Sequence, residues 1–195
     1  MKKILISGFD PFGGEAINPS YEAVKLLPNV IGEYELTKIE LPTVFGRAAE
    51  IMIERIEEIR PDAVICVGQA GGRRGITPEV IGINLREASI ADNAGNMPKN
   101  EKIRAGAPDG IFSTLPVREM VEAIKAEGLP ASLSFSAGAF VCNDLLFSLL
   151  YEFKDTDIKI GFIHVPFLPE QAKAGVPSME LADVVRGLGA AVKCL

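Results

Sequence analysis

One cysteine in this sequence is placed where a reactive thiol would be expected. Cys142 lies in the segment 136–143 (SAGAFVCN), where a predicted strand leads into a glycine-bearing turn and the next helix begins beside the cysteine. The exposed amides of a helix N-terminus stabilise a thiolate and can hold a developing oxyanion, so we expect a nucleophile with a lowered pKa. The alternative is that Cys142 is a small buried apolar side chain, as most free cysteines are.

The sequence contains a single histidine, which could serve as the base for that thiol. His164 lies near the C-terminal end of the apolar run 158–165. Ligands gather at the carboxyl ends of strands in open α/β sheets, so this position suits a catalytic imidazole. The alternative is a core histidine satisfied by a backbone carbonyl group.

A cysteine and a histidine together suggest nucleophilic catalysis, in which the imidazole deprotonates the thiol and later protonates the leaving amine. Such pairs commonly have a third group that orients the imidazole. Glu79, at the start of a predicted extended segment after a glycine-rich loop, is a candidate. Taken alone, it is more simply explained as a solvated acid.

The elements that must position these side chains alternate along the chain. Short β-branched runs followed by amphipathic stretches are typical of an α/β fold around a mostly parallel sheet. Predicted strands or extended segments span residues 3–8, 36–41, 63–67, 79–85, 132–136 and 158–165. Predicted helices span residues 19–27, with Asn18 as N-cap, and residues 44–60, 116–128, 143–154 and 179–192.

Composition narrows the class of protein. The 195 residues suit one domain, residues 1–195, with a polar surface loop or arm at about 92–110. The net charge of −6 argues against nucleic acid as a partner, and no apolar run approaches the ~20 residues that a membrane span needs, so we expect no membrane partner. Three scattered cysteines and one histidine predict neither a disulfide framework nor a zinc site, and favour a cytoplasmic protein.

Two glycine-rich loops follow predicted strands without matching a nucleotide-binding pattern. Residues 9–14 (FDPFGG) lack the GxGxxG spacing, and residues 68–75 lack the Lys-Ser/Thr of a phosphate-binding loop. Phe9 and Phe12 are unusual in such a loop, because loops seldom offer aromatic rings to water. They either line a binding site or fold back onto the core.

Five segments together resemble the pyroglutamyl peptidase I (pyrrolidone carboxyl peptidase) family of cysteine peptidases, in order and over nearly the whole chain. They are GFDPFGG (8–14) with NPS (18–20), VGQAGGR (67–73), the middle segment with Ile83-Asn84, Asp92-Asn93 and Gly95-Asn96, SAGAFVCN (136–143) and IHVPFLPEQ (163–171). The resemblance implies a three-layer α/β/α sandwich, hydrolysis of the amide after an N-terminal pyroglutamate of peptides, and assembly as homodimers or homotetramers. It implies no metal or organic cofactor.

Carried over residue by residue, the resemblance implies a catalytic triad of Glu79, Cys142 and His164. It also implies a substrate-binding set in which aromatic rings line the pocket for the lactam ring, Gln69 lies beside it, and Asn18 holds residues 9–14, which we call the aromatic loop. The aromatic residues of that set are Phe9, Phe12 and Phe140. Two alternatives stay open: a hydrolase of related scaffold with altered substrate choice, and a non-catalytic relative that binds a lactam or peptide.

The sequence departs from the family pattern at two positions. Position 89, where the family usually has arginine ten residues after the triad glutamate, holds Ser89. We therefore predict altered electrostatics, unless Arg73 or Arg74 in the glycine-rich loop supplies the charge; on an extended segment Arg86 points to the opposite face from position 89. Ala139, three residues before Cys142, replaces a usual threonine, which is a milder change.

Overall fold

A computed structural model describes residues 1–195. Its strands are β1 (Lys2–Phe9), β2 (Val30–Ile31), β3 (Tyr34–Leu41), β4 (Ala63–Gln69), β5 (Thr77–Pro78), β6 (Ile81–Ile83), β7 (Gly110–Phe112) and β8 (Lys159–Val165). Its helices are α1 (Pro19–Leu26), α2 (Arg47–Ile59), α3 (Val117–Ala126), α4 (Val141–Glu152) and α5 (Leu181–Val192). None of the five helices combines the length and the apolar character that a membrane span requires.

The central sheet has six strands in the order β2-β3-β1-β4-β8-β5. The four longest strands run parallel to one another, whereas the two-residue strands β2 and β5 pair antiparallel with β3 and β8 at the two sides of the sheet. β6 and β7 form a separate antiparallel pair. The predicted α/β fold around a mostly parallel sheet is confirmed, and parallel register brings the carboxyl ends of β1, β4 and β8 to one edge.

Helices cover both faces of this sheet, because the central strands bury both sets of alternating side chains. On β1, Ile4 and Ile6 belong to a core shared with α1, α3 and α5, while Leu5 belongs to a second core shared with α2 and α4. The arrangement is the three-layer α/β/α sandwich. Because both cores pack against the same sheet, its strands hold the side chains at the carboxyl edge in fixed positions.

Two predicted elements differ from the structure. Residues 132–136 form no regular strand: they make only the isolated bridge Glu79↔Ser134, next to the bridge Ile76↔Ala131. Pro78 has no N–H to donate and so interrupts the ladder between the two segments. The helix predicted over residues 44–60 begins at Arg47, because Gly46 adopts a positive φ of 73° and ends the preceding turn there.

Candidate active site

Cys142 occupies the first turn of α4 and is partly exposed. The helix begins at Val141 after Phe140, whose extended backbone serves as the N-cap. The sulfur lies over strand β4: a Cβ on Gly68 would stand 3.0 Å from the Cys142 Sγ and 2.7 Å from the Phe162 ring. Only glycine at position 68 leaves room for the thiol at this place.

His164 lies on the neighbouring strand at the same level. It is the register partner of Gly68 across the β4–β8 pair and is buried. Its Nδ1 is 2.7 Å from Glu79 Oε1. With Glu79 ionised, the proton of the imidazole resides on Nδ1, and the other ring nitrogen is left as a base. The three residues predicted as a triad therefore converge at the carboxyl edge of the sheet.

Glu79 is fully buried just after β5, where its backbone N–H donates to the Phe162 carbonyl at 2.9 Å. A buried carboxylate is stable only when it is paired. Its Oε1 accepts from His164 and from Arg73 Nη1, the latter at 2.7 Å, while Oε2 has no hydrogen-bond partner. The prediction that Glu79 is available to orient the imidazole thus has direct geometric support.

Arg73 supplies a positive charge at the candidate triad. This charge was in question because Ser89 replaces the arginine that is usual in the family. Besides Glu79, its guanidinium donates to the Ser136 carbonyl at 3.1 Å and to the Thr77 hydroxyl. Ser89 itself is exposed. Arg86 turns away to pair with Asp144 at 2.7 Å. Of the arginines considered from sequence, Arg73 is the one that contacts the candidate triad.

The environment shifts the pKa of each triad member. Burial opposes ionisation of Glu79, but its bonds to His164 and the charge of Arg73 outweigh it and hold that pKa below its usual range. Burial also lowers the pKa of His164, against the raising effect of Glu79, so the imidazole is neutral at pH 7. Burial, together with the charge of Glu79, raises the pKa of Cys142 to about 12.

The last shift corrects one expectation from sequence. The helix N-terminus was expected to lower the pKa of Cys142, but the loss of water around the sulfur is the larger effect. At rest the site therefore holds a neutral thiol beside a neutral imidazole. Such a pair is suited to general base catalysis, in which a neutral imidazole removes the thiol proton as the sulfur attacks.

We expect Arg73→Met to lower kcat/KM for a substrate of the kind that the resemblance implies by about tenfold, equivalent to 1.4 kcal/mol. The charge of Arg73 lowers the pKa values of His164 and Cys142, so its loss raises both. With neutral His164 as the expected base, the acidic limb of the pH–rate profile should move to higher pH. Arg74→Met is the matched control; an unchanged profile in Arg73→Met would show that the charge is not needed.

Aromatic rings cluster at the start of α4, where Phe140 is the N-cap. Phe12 and Phe140 lie 6.0 Å apart between ring centroids, and Phe45 meets Phe140 edge to face at 5.1 Å. Phe9 is almost fully buried against Phe162, which in turn lies 4.7 Å from the His164 ring. Phe12 and Phe140 therefore form the accessible wall, whereas Phe9 supports the site from the core. Phe45 was missed because the sequence placed it inside a predicted helix.

Gln69 ends strand β4 at the same edge. Its side-chain oxygen accepts a hydrogen bond at 3.0 Å from Gln171, which also donates to the Ile17 carbonyl at 3.2 Å. The amide nitrogen of Gln69 has no acceptor in the protein. Gln171 thus fixes the rotamer of Gln69 and leaves an N–H donor free. Gln171 was present in the 163–171 motif, but the sequence gave no sign of its contact with Gln69, which lies 102 residues away in the chain.

Asn18 holds the aromatic loop, as the resemblance implied, and confirms its prediction as the N-cap of α1. Its Oδ1 accepts from the Ser20 amide at 3.1 Å and the Ser20 hydroxyl at 2.8 Å, and that hydroxyl accepts from Phe9 N at 2.9 Å. Its Nδ2 donates to the Asp10 carbonyl at 2.9 Å. Because the side chain is buried and its amide is used by the chain, Asn18 fixes the aromatic loop from inside the protein.

The loop after Leu85 contributes a second anchor that sequence reasoning missed. Asp92 is buried and accepts from Phe45 N at 2.9 Å, and Asn93 Nδ2 donates to the Pro11 carbonyl at 2.9 Å and to Asp10 Oδ1 at 3.1 Å. These bonds join the aromatic loop to the segment that carries Phe45. Within the predicted polar stretch 92–110, its first two residues therefore help to build the candidate site.

The two polar residues after Cys142 tie the start of α4 to the rest of the protein. Asn143 accepts from Ile83 N at 2.8 Å and donates to the Ile83 carbonyl at 2.9 Å. Asp144 accepts from Gly46 N and from Arg86, both at 2.7 Å. Both side chains are fully buried in an otherwise apolar helix. That polar pair in an apolar run was the signal that could have identified them as positioning residues.

Two substitutions of Asn18 separate its role as the N-cap of α1 from its hydrogen bond to the aromatic loop. We expect Asn18→Ala to lower the stability of the protein by about 1 kcal/mol through loss of the N-cap, and to raise KM by loosening the aromatic loop. Asn18→Ser keeps a capping oxygen but loses the bond to Asp10, so it should raise KM with little change in Tm. Equal KM values in both variants and the unchanged protein would contradict a supporting role for Asn18.

The fold and this site define an α/β protein of the cysteine hydrolase type. The pyroglutamyl peptidase family model matches residues 2–195, and the chain belongs to this family of cysteine peptidases. The pyrrolidone-carboxylate peptidase of Streptococcus suis is 51% identical over 194 residues, covering 97% of this chain and 90% of its own length. That of Streptococcus pyogenes (strain MGAS10750) is 51% identical over the same shares.

Solved structures of the family have the same fold. Pyroglutamyl peptidase I of Bacillus amyloliquefaciens aligns with a TM-score of 0.96 at 45% identity, covering 100% of this chain and 96% of its own. Pyrrolidone carboxyl peptidase of Thermococcus litoralis aligns with a TM-score of 0.95 at 38% identity, covering 100% and 93%. The family resemblance predicted from the motifs is thus confirmed over the whole chain.

Proposed function

We propose that this protein hydrolyses the amide bond that follows an N-terminal pyroglutamate in peptides, with Cys142 as nucleophile, His164 as general base and Glu79 as the group that orients it. The observation that carries this proposal is the convergence of these three side chains beside an accessible aromatic wall. Membership of the pyroglutamyl peptidase family supports the choice of substrate.

The proposed reaction has two stages. Cys142 Sγ attacks the pyroglutamyl carbonyl carbon while His164 takes the thiol proton, and the backbone N–H groups at the start of α4 stabilise the oxyanion. The amide C–N bond then breaks, and His164 gives its proton to the departing amine. Water, deprotonated by His164, cleaves the thioester to release pyroglutamate and restore the thiol. Metal ions and organic cofactors take no part in these steps.

Recognition of the lactam follows from its chemistry. Pyroglutamate has no charged amine, so an anionic site of the aminopeptidase kind would not bind it. A planar lactam needs aromatic faces, one donor and one acceptor. Phe12 and Phe140 offer ring faces, and the free N–H of Gln69 offers a donor for the ring carbonyl.

Assay of a pyroglutamyl arylamide tests this function. Turnover that is lost on alkylation of the thiol would support the proposal. Binding without turnover would instead indicate a non-catalytic lactam-binding relative, and neither binding nor turnover would indicate a hydrolase with altered substrate choice. Hydrolysis of alanyl or leucyl arylamides at comparable rates would contradict the specificity that we propose.

We further propose a cytoplasmic location and a homodimeric or homotetrameric assembly of single-domain subunits. The proposed thiol nucleophile must stay reduced, which favours a reducing compartment. Leu26, Val30 and Phe112 are apolar and more than half exposed outside the candidate site, which supports a subunit contact. The two cores share one sheet, which supports a single domain. Sedimentation at several concentrations tests the assembly, and a monomer throughout would contradict it.

A further inference from the structure

A run of backbone next to the candidate site has unpaired hydrogen-bonding groups along its outer side. Residues 130–134 lie beside residues 76–80 and use the backbone groups of alternate residues for four hydrogen bonds. They are Ile76 N to Pro130 O, Ser132 N to Ile76 O, Ser134 N to Pro78 O and Val80 N to Ser134 O, at 2.8–3.2 Å. The N–H and C=O groups of Ala131, Leu133 and Phe135 have no partner in the protein. We refer to residues 131–135 as the open edge.

A groove of about 590 Å³ runs along the open edge. Its walls are formed by residues 130–136 on one side and by Arg73, Arg74, Gly75 and Thr77 on the other. Phe135 is 66% exposed, although a phenylalanine gains free energy by covering its ring. An unpaired strand edge beside a groove is the arrangement to which an extended peptide adds as a further strand.

The groove is continuous with the candidate site. Arg73 lines the groove and also bonds to Glu79, and Thr77 is the register partner of His164. Across the sheet the spatial order is β1, β4, β8, β5 and then the open edge. The aromatic loop follows β1, Gln69 ends β4 and His164 lies on β8. Because the lactam would lie on the β1–β4 side and His164 must reach the leaving nitrogen, the departing peptide points toward β5 and the groove.

We infer that the residues following pyroglutamate bind in this groove as an extended strand paired with the open edge, and that Arg74 favours an acidic side chain among them. This inference rests on the proposed function. Arg74 is exposed and forms no ion pair, and with Arg73 it makes a local positive charge on a chain whose net charge is −6. Backbone pairing tolerates many sequences, whereas the charge of Arg74 discriminates among them.

Leu133→Pro tests the pairing, because it removes an outward N–H and leaves the bonds of Ser132 and Ser134 to the sheet intact. We expect kcat/KM for a pyroglutamyl tetrapeptide to fall about 3- to 10-fold, the size of one or two lost hydrogen bonds, while hydrolysis of a pyroglutamyl arylamide is unchanged. Leu133→Ala, which keeps the N–H, is the matched control and should retain both activities.

Arg74→Glu tests the charge. The unchanged protein should prefer a pyroglutamyl tetrapeptide with aspartate after the pyroglutamate over one with lysine, and Arg74→Glu should reverse that preference without changing arylamide hydrolysis. If Leu133→Pro leaves the peptide kinetics unchanged and arylamide turnover is intact, the inference about the groove is overturned and the proposed function is not affected. A smaller assembly of Leu133→Pro with unaltered peptide kinetics would assign the edge to self-association, which also overturns it. Absence of arylamide turnover in the unchanged protein would overturn the proposed function and this inference together.

Discussion

Replacing Cys142 with serine is expected to lower kcat/KM for a pyroglutamyl arylamide by about 10⁴-fold or more, because the hydroxyl is a far poorer nucleophile than sulfur in this site. The thiol at the start of α4 is the one sulfur beside the His164–Glu79 pair. A serine hydroxyl is also a weaker acid than a thiol, so His164, whose pKa is lowered by burial, removes its proton less readily. Steady-state kinetics on the purified variant measures the loss.

The other two cysteines are the matched controls for this prediction. Cys66 is 1% exposed within β4, and burial raises its pKa to about 12. Cys194 lies at the end of the chain, packed against the core of α5, with its Sγ 3.5 Å from the Ala190 carbonyl. Cys66→Ser and Cys194→Ser should keep near-normal turnover. Full activity in Cys142→Ser, or its loss in Cys194→Ser alone, would contradict the assignment of the nucleophile.

Pyroglutamyl substrates should be preferred over prolyl substrates by about 10⁴-fold in kcat/KM. The two rings differ by one carbonyl oxygen, and an N-terminal proline also carries a positive charge. In the pocket beside Phe12 and Phe140, proline would leave the amide N–H of Gln69 without an acceptor and would have to lose the hydration of its ammonium group. Proline is therefore disfavoured twice, by the unpaired N–H of Gln69 and by the desolvation of its own ammonium group.

Parallel assays of pyroglutamyl and prolyl arylamides measure this selectivity. Gln69→Ala is expected to reduce it chiefly by slowing the pyroglutamyl substrate, while Gln171→Ala should have the same direction and a smaller effect because it acts through Gln69. Comparable rates for the two substrates in the unchanged protein would show that the site does not recognise the lactam carbonyl.

The parts of the fold that local chemistry specifies were predictable from sequence. The apolar run of β1 and the Asn18-Pro19 start of α1 are set by burial on two faces and by capping, and both are found within one residue of the predicted bounds. The placement of Cys142 at a helix start follows from the turn that precedes it. Alternating strands and helices also predicted the sheet edge at which His164 lies.

What the sequence could not provide depends on contacts between distant segments. The bond from Phe45 to Asp92 spans 47 residues, and that from Gly46 to Asp144 spans 98. The choice of Arg73 as the charge beside Glu79 required the loop geometry, since Arg73 and Arg74 are equivalent by composition. The raised pKa of Cys142 likewise depends on how much water the surrounding segments remove from the sulfur, which a helix N-terminus alone does not determine.

Reaction with a thiol-reactive pyroglutamyl chloromethyl ketone tests the central claim most directly, because it depends on the lactam pocket and on the nucleophile together. We predict one label per chain, located on Cys142 by peptide mapping, with loss of activity in proportion to labelling. Free pyroglutamate should protect, and the corresponding prolyl reagent should label Cys142 much more slowly. Labelling at another residue, or an active protein that the pyroglutamyl reagent does not label, would contradict the account.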